Sequence, residues 1–111
     1  MKIPVAVTSI VLAAGLIGDA SADDQPGRSL YESVCSACHS PQNVMVSSPK
    51  AGDRLEWARR LRKGFDEVTR NAIDGVGAMP PKGGCAQCTP EEIRRAIEFM
   101  AAEKAAHPER D

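Results

Sequence analysis

Residues 35–39 read Cys35-Ser36-Ala37-Cys38-His39, and this C-x-x-C-H run decides how the rest of the chain is read. Two thiols about one helical turn apart can each add to a vinyl group of a porphyrin. The imidazole beside the second thiol is then carried under the macrocycle as an axial ligand to iron. That is the attachment pattern of a c-type haem, with Cys35 and Cys38 as thioether links and His39 on the metal. A redox dithiol of the thioredoxin kind needs a βαβ frame, and the flanking sequence has no strand pattern. A structural zinc site needs four ligands in short paired spacings. Cys85 and Cys88 could supply two of them, but Met79 and the N-terminal segment would then be left unexplained.

Upstream of the motif, residues 1–22 read MKIPVAVTSIVLAAGLIGDASA. Lys2 gives a positive start, Ile3 to Gly18 is uncharged and mostly apolar, and Ala20-Ser21-Ala22 is a small-x-small cleavage site. This is the layout of a secretory signal peptide. The apolar run falls short of the roughly 20 residues that span a bilayer, so no stable membrane insertion is expected after cleavage. The expected domains are therefore a signal peptide over 1–22 and a mature domain over 23–111, in the periplasm. Export places all four cysteines in an oxidising compartment.

Downstream, the punctuation is helical. A helix is expected over Gly27–Val34, with Leu30, Tyr31 and Val34 on one face. Pro41–Gly52 reads as loop. Asp53 is placed to cap a helix with Glu56 as its box partner, ending at Gly64. Leu55, Ala58 and Leu61 share one side of it, and Trp57 faces Leu61. A helix from Asp66 to Asp74 would bury Val68 and Ile73 and close at Gly75. Val76–Thr89 is loop, rich in glycine and proline. Thr89, Pro90 and Glu92 then form the clearest helix start in the chain, followed by an apolar stripe of Ile93, Ala96, Ile97 and Met100. The reading is all-α, about four short helices joined by loops too long for a self-sufficient bundle. The 111 residues include only 4% aromatics and carry a formal charge of -1. Such a core needs a staple, and a near-neutral balance gives no footprint for nucleic acid.

A second axial ligand is expected from Met79. Met45 follows His39 too closely to cross to the opposite haem face, Met100 belongs to the last helix's stripe, and Met1 leaves with the signal. Met79 precedes Pro80-Pro81, which pushes it toward an extended conformation and stiffens the segment that presents its sulfur. Histidine/methionine ligation marks electron-transfer cytochromes. His107, beside Pro108, reads as a solvated tail residue.

Between Leu30 and Met100 the chain resembles the cytochrome c5-like group of class I c-type cytochromes. The residues that carry the resemblance are LYESVCSACH, PKAGD with Trp57 and Arg60 following, and MPPKGGCAQCTPEEIRRAIEFM. The resemblance implies a cytochrome c fold around one covalent haem c, acting as a soluble one-electron carrier and not as an enzyme. It implies axial ligation by His39 and Met79, a Cys85–Cys88 disulfide, and a meeting of Gly27, Tyr31 and Phe99 where the first and last helices cross. The Pro49 carbonyl would orient the outer nitrogen of His39. Trp57 and Arg60 match positions that contact the haem propionates, although the indole could equally be core. Ser40-Pro41-Gln42-Asn43 departs from the glycine-rich turn of the family. Cys88 is followed by Thr89, so the second cysteine pair is no second haem motif, and in an exported chain it would oxidise.

Redox proteins are the expected partners, docking on a small surface, with a monomer or weak dimer as the expected state. The Arg59-Arg60-Arg62-Lys63 group could steer an acidic partner. Two other classes compete: a haem subunit of a larger oxidoreductase, and a haem sensor or enzyme with a labile sixth ligand. Carbon monoxide binding by the ferrous protein and native size would separate them.

Overall fold

The helix that carries the motif is longer than the apolar pattern at Leu30, Tyr31 and Val34 suggests. α1 (Arg28–Leu30) runs into a π turn at Tyr31–Cys35 and on into α2 (Ser36–His39), so Cys35 to His39 are helical as well. In the π turn the Ser36 N–H reaches Tyr31 O, one residue further back than in an α-helix. Ser36 Oγ donates to Glu32 O at 2.8 Å, supplying a donor where the widened turn shifts the backbone pairing. The computed structural model describes residues 2–11, 13, 15 and 25–102. Residues 2–11 have no regular structure and lie in solvent. No described helix is long and apolar enough to cross a membrane. Ala20-Ser21-Ala22, the expected cleavage site, and His107 fall outside the described residues.

α3 (Arg54–Arg60) begins at Asp53, whose side chain accepts the Glu56 N–H, and finishes in a 3-10 turn at Leu61–Lys63. Its orientation corrects the sequence reading. Trp57 is buried and Leu61 packs on the core, but Leu55 is 86% exposed and Ala58 is exposed too. At 100° per residue Leu55 stands about 200° round from Trp57, so seating the indole turns Leu55 outward. α4 (Phe65–Asp74) buries Thr69 and Ala72, while Val68 and Ile73 are only half-buried at the edge of the core.

α5 (Pro90–Ala101) matches its start signal fully. Thr89 and Glu92 cap each other reciprocally, and Ile93, Ala96, Ile97 and Met100 are the buried face. α1 crosses α5 at Gly27, whose φ of 87° already favours glycine. A Cβ there would lie 2.0 Å from Arg95 O, so the two backbones meet with no room for a side chain. Tyr31 and Phe99 stack across the same crossing, ring centroids 5.2 Å apart. α4 is tied to α5 by Arg94, which bonds Asp66 and lies over the Phe65 ring. Counting α1, the π turn and α2 as one, the described residues form four helices and no strand; Val76 and Met79 make a lone bridge.

Candidate functional site

His39 ends α2 and is buried, with 8% of its surface exposed. Its Nδ1 lies 2.7 Å from Pro49 O. A carbonyl can only accept, so Nδ1 carries the proton and Nε2 keeps its lone pair. Burial, opposed in part by the Pro49 bond, pushes the imidazole below its ordinary pKa. The Lys50 and Arg60 charges add to the downward shift. A neutral, oriented imidazole with Nε2 free is a ligand ready for a metal. Cys35 and Cys38 are free thiols on the same helix, Cys38 exposed and Cys35 half-buried, and burial pushes the Cys35 thiol up to about 11.

The loop between His39 and α3 is shaped by side-chain hydrogen bonds that the sequence reading did not foresee. Asn43 donates to Ala37 O at 2.6 Å, and its oxygen accepts from the N–H groups of Met45 and Val46. This Asx turn does the work of the missing glycines. Ser48 Oγ donates to Cys38 O at 2.6 Å. Lys50 Nζ reaches Cys38 O, Val46 O and Ser48 Oγ at 3.1, 2.8 and 2.9 Å. The Ala51 N–H returns to His39 O at 2.8 Å, and the Gly52 N–H to Met100 O at 2.7 Å. An asparagine followed by two free N–H groups was a readable turn signal; bonds ten residues long were not.

Met79 sits in a tight turn in which Val76 and Met79 exchange both backbone hydrogen bonds, at 3.1 and 2.9 Å. Gly75 (φ 86°) starts the turn, and a Cβ there would meet Met79 O at 2.9 Å and Pro81 N at 3.0 Å. After Pro80 a 3-10 turn at Pro81–Gly84 leads into Cys85. Space for a Cβ on Gly83 is bounded by Val34 Cγ1 at 3.6 Å and Met79 Cε at 3.9 Å. The Met79 methyl and the motif helix thus flank the same glycine. Cys85 and Cys88 are joined by a disulfide with Cα atoms 5.4 Å apart, both sulfurs' residues buried. Their bond removes them from any shared zinc site, and among the described residues no three His, Cys, Asp or Glu gather as metal ligands.

Trp57 walls the site, its ring centroid 6.4 Å from that of His39. Its indole N–H is spent on Lys50 O at 2.9 Å, so the donor expected to meet a propionate is already committed. Arg60 bonds Glu56 through Nε at 2.8 Å, leaving the rest of its guanidinium free of that bond. Arg59 also pairs with Glu56, and Lys63 lies 3.9 Å from Glu67, so the basic group is partly neutralised. The chain's own features fit a covalent haem: two free thiols on one helix and one imidazole turned by Pro49 O.

A protein-family profile described as "Cytochrome C oxidase, cbb3-type, subunit III" matches residues 22–100. A protein named cytochrome c5 from Ectopseudomonas mendocina is 40% identical over 86 residues, 76% of this chain and 91% of its own length. The solved mono-haem ferrocytochrome c from Shewanella putrefaciens is 40% identical, with a TM-score of 0.61 over 72% of this chain and 96% of its own. A chain from the crystal structure of the electron transfer complex of nitrite reductase with cytochrome c is 36% identical, with a TM-score of 0.62. That alignment covers 76% of this chain and 98% of the other.

Proposed function

The chain belongs to the monohaem class I c-type cytochromes and carries one covalent haem c; from that premise we propose an exported, periplasmic electron carrier with iron held between His39 and Met79. The observation that carries this reading is the His39 imidazole, turned by the Pro49 carbonyl so that Nε2 is free beside two unbonded thiols. Bound haem supplies a one-electron ferric/ferrous couple. The chain's part is to hold and to exclude. Cys35 and Cys38 fix the group to the motif helix. Pro49 and the Asn43 turn keep the imidazole from rotating, and Trp57 keeps water from its flank. The Gly75–Pro81 segment presents the Met79 sulfur from a backbone with little freedom, so the same two ligands serve both oxidation states. Arg60 offers the remainder of its guanidinium to a propionate. No general acid, base or nucleophile is required.

The Cys85–Cys88 disulfide is read as a clamp joining the Met79 turn to α5; both residues are buried, which argues against exchange with a partner's thiol. Partners are other redox proteins. Nitrite reductase is named as the partner in one related complex and marks the kind of enzyme this carrier would serve. A second reading, a haem subunit of a larger oxidoreductase, draws on the oxidase subunit in the family description. Native size-exclusion of the protein from its source separates the two.

The ligation is tested by the oxidised absorption spectrum, where a weak long-wavelength band reports thioether ligation. The wild type shows it, and Met79→Ala loses it while keeping covalent haem. Ready carbon monoxide uptake by the wild-type ferrous protein would sink the His39/Met79 reading. N-terminal sequencing of the secreted protein should begin at Asp23.

A further inference from the structure

Lys50 is a cation that the His39 loop folds around. Its ammonium spends three N–H donors on Cys38 O, Val46 O and Ser48 Oγ, and its own carbonyl accepts from the Asp53 N–H and the Trp57 indole at 3.1 and 2.9 Å. It follows Pro49, whose carbonyl holds Nδ1 of His39, and precedes Ala51, whose N–H returns to His39 O. The motif helix and the ligand-orienting carbonyl are thus both tied to this residue.

Hydrogen bonding alone does not require a full charge here, since an amide could serve several of these oxygens. A half-buried cation without a carboxylate costs desolvation that carbonyl dipoles offset only in part. The nearby Arg60 is different: Glu56 lies 2.8 Å from its Nε and cancels much of its field. The partners of Lys50 among the described residues are all neutral oxygens, so its charge stays uncancelled beside His39.

We propose that Lys50 is an electrostatic positioning residue, whose ammonium, locked in the His39 loop, favours ferrous over ferric iron. This rests on the reading of His39 as an axial ligand. The ferric centre carries one more positive charge than the ferrous one, and a fixed cation nearby opposes that charge. At an effective dielectric of about 20, two unit charges about 10 Å apart interact strongly enough to change the ratio of two states on the order of tenfold.

The test is a spectroelectrochemical titration of the holoprotein with Lys50→Gln, Lys50→Arg and Ser48→Asp. Gln removes the charge and keeps an amide donor; Arg keeps the charge; Asp leaves Lys50 in place and neutralises it. At the solution poise where the wild type is half reduced, Gln and Asp should lower the reduced-to-oxidised ratio on the order of tenfold. Arg should hold the wild-type ratio. Equal drops for Gln and Arg would assign Lys50 a packing role and overturn the proposal, as would no change in Gln and Asp. If the Gln variant fails to take up haem, the Asp variant decides. A wild-type spectrum without histidine/methionine features defeats the ligation reading itself. A normal spectrum with unmoved ratios defeats only the role of Lys50.

Discussion

On the His39 side, residues 40–52 keep their shape through side chains: Asn43, Ser48 and Lys50 each bind backbone oxygens of the motif helix. On the Met79 side, residues 75–88 keep theirs through backbone restriction. Gly75 sits at positive φ, Pro80 and Pro81 follow Met79, and a disulfide closes the far end. The difference follows from the two proposed ligands. An imidazole has a second nitrogen that must be bonded and aimed, so its surroundings must present polar atoms. A thioether is a weak acceptor and asks only that its backbone be held in place. The polar side should therefore lose stability in small steps, whereas the restricted side should fail sharply.

The largest effect is expected at Gly75. Alanine there forces a Cβ to 2.9 Å from Met79 O at a φ of 86°, and should cost about 3 kcal/mol with loss of the long-wavelength band. A guanidinium midpoint shift equivalent to less than about 1 kcal/mol would erase the contrast between the sides. Next, the double substitution Cys85→Ser/Cys88→Ser should cost about 2 kcal/mol while haem and electron transfer survive. Lost transfer in that variant would instead give the pair a redox role.

Acid sharpens the comparison from the other direction. Burial holds the pKa of the unligated His39 below its ordinary value of 6.5, and iron on Nε2 would block the proton further, so as pH falls below that value the unfolded chain binds a proton that the fold refuses. Stability from this group is complete above that pH and is lost on acidification, by at most about 1.4 kcal/mol per pH unit. Tyr31 acts at the opposite end: burial above all, with the Glu32 charge adding, raises its pKa above 10, so its contribution is lost only as pH rises beyond that. Denaturant midpoints at neutral and mildly acidic pH should differ in this sense; a midpoint that climbs on acidification contradicts it. The smallest effect is Asn43→Ala, about 1 kcal/mol, read as faster amide exchange at Met45 and Val46 with Met79 spectra unchanged.

Elements governed by neighbours along the chain were legible from residues alone. The Asp53 cap, the Thr89–Pro90–Glu92 start and the stripe of α5 all depend on contacts within one turn. In the structure Cys35 and Cys38 are unbonded thiols on the motif helix, and His39 Nδ1 lies 2.7 Å from Pro49 O. What depended on tertiary choice was misread or missed. α3 contains apolar residues on two sides, and only the seat available to Trp57 decides that Leu55 faces water. The π turn at Tyr31–Cys35 leaves no trace in a pattern of apolar residues that suits an ordinary helix equally well. Lys50 reads as a surface lysine until the loop is folded, because its partners Cys38 and Val46 acquire their places only then.

Gly27 carries a consequence for how the molecule is made. Its backbone rests against Arg95, and Tyr31 leans on Phe99, so the first helix has no seat until the last one exists. A chain synthesised from its N-terminus meets that requirement only once residues 90–101 have been made. Until α5 emerges, the thiols of the motif helix remain on an open chain that can still be threaded or reached. Completion of the last helix is what shuts it.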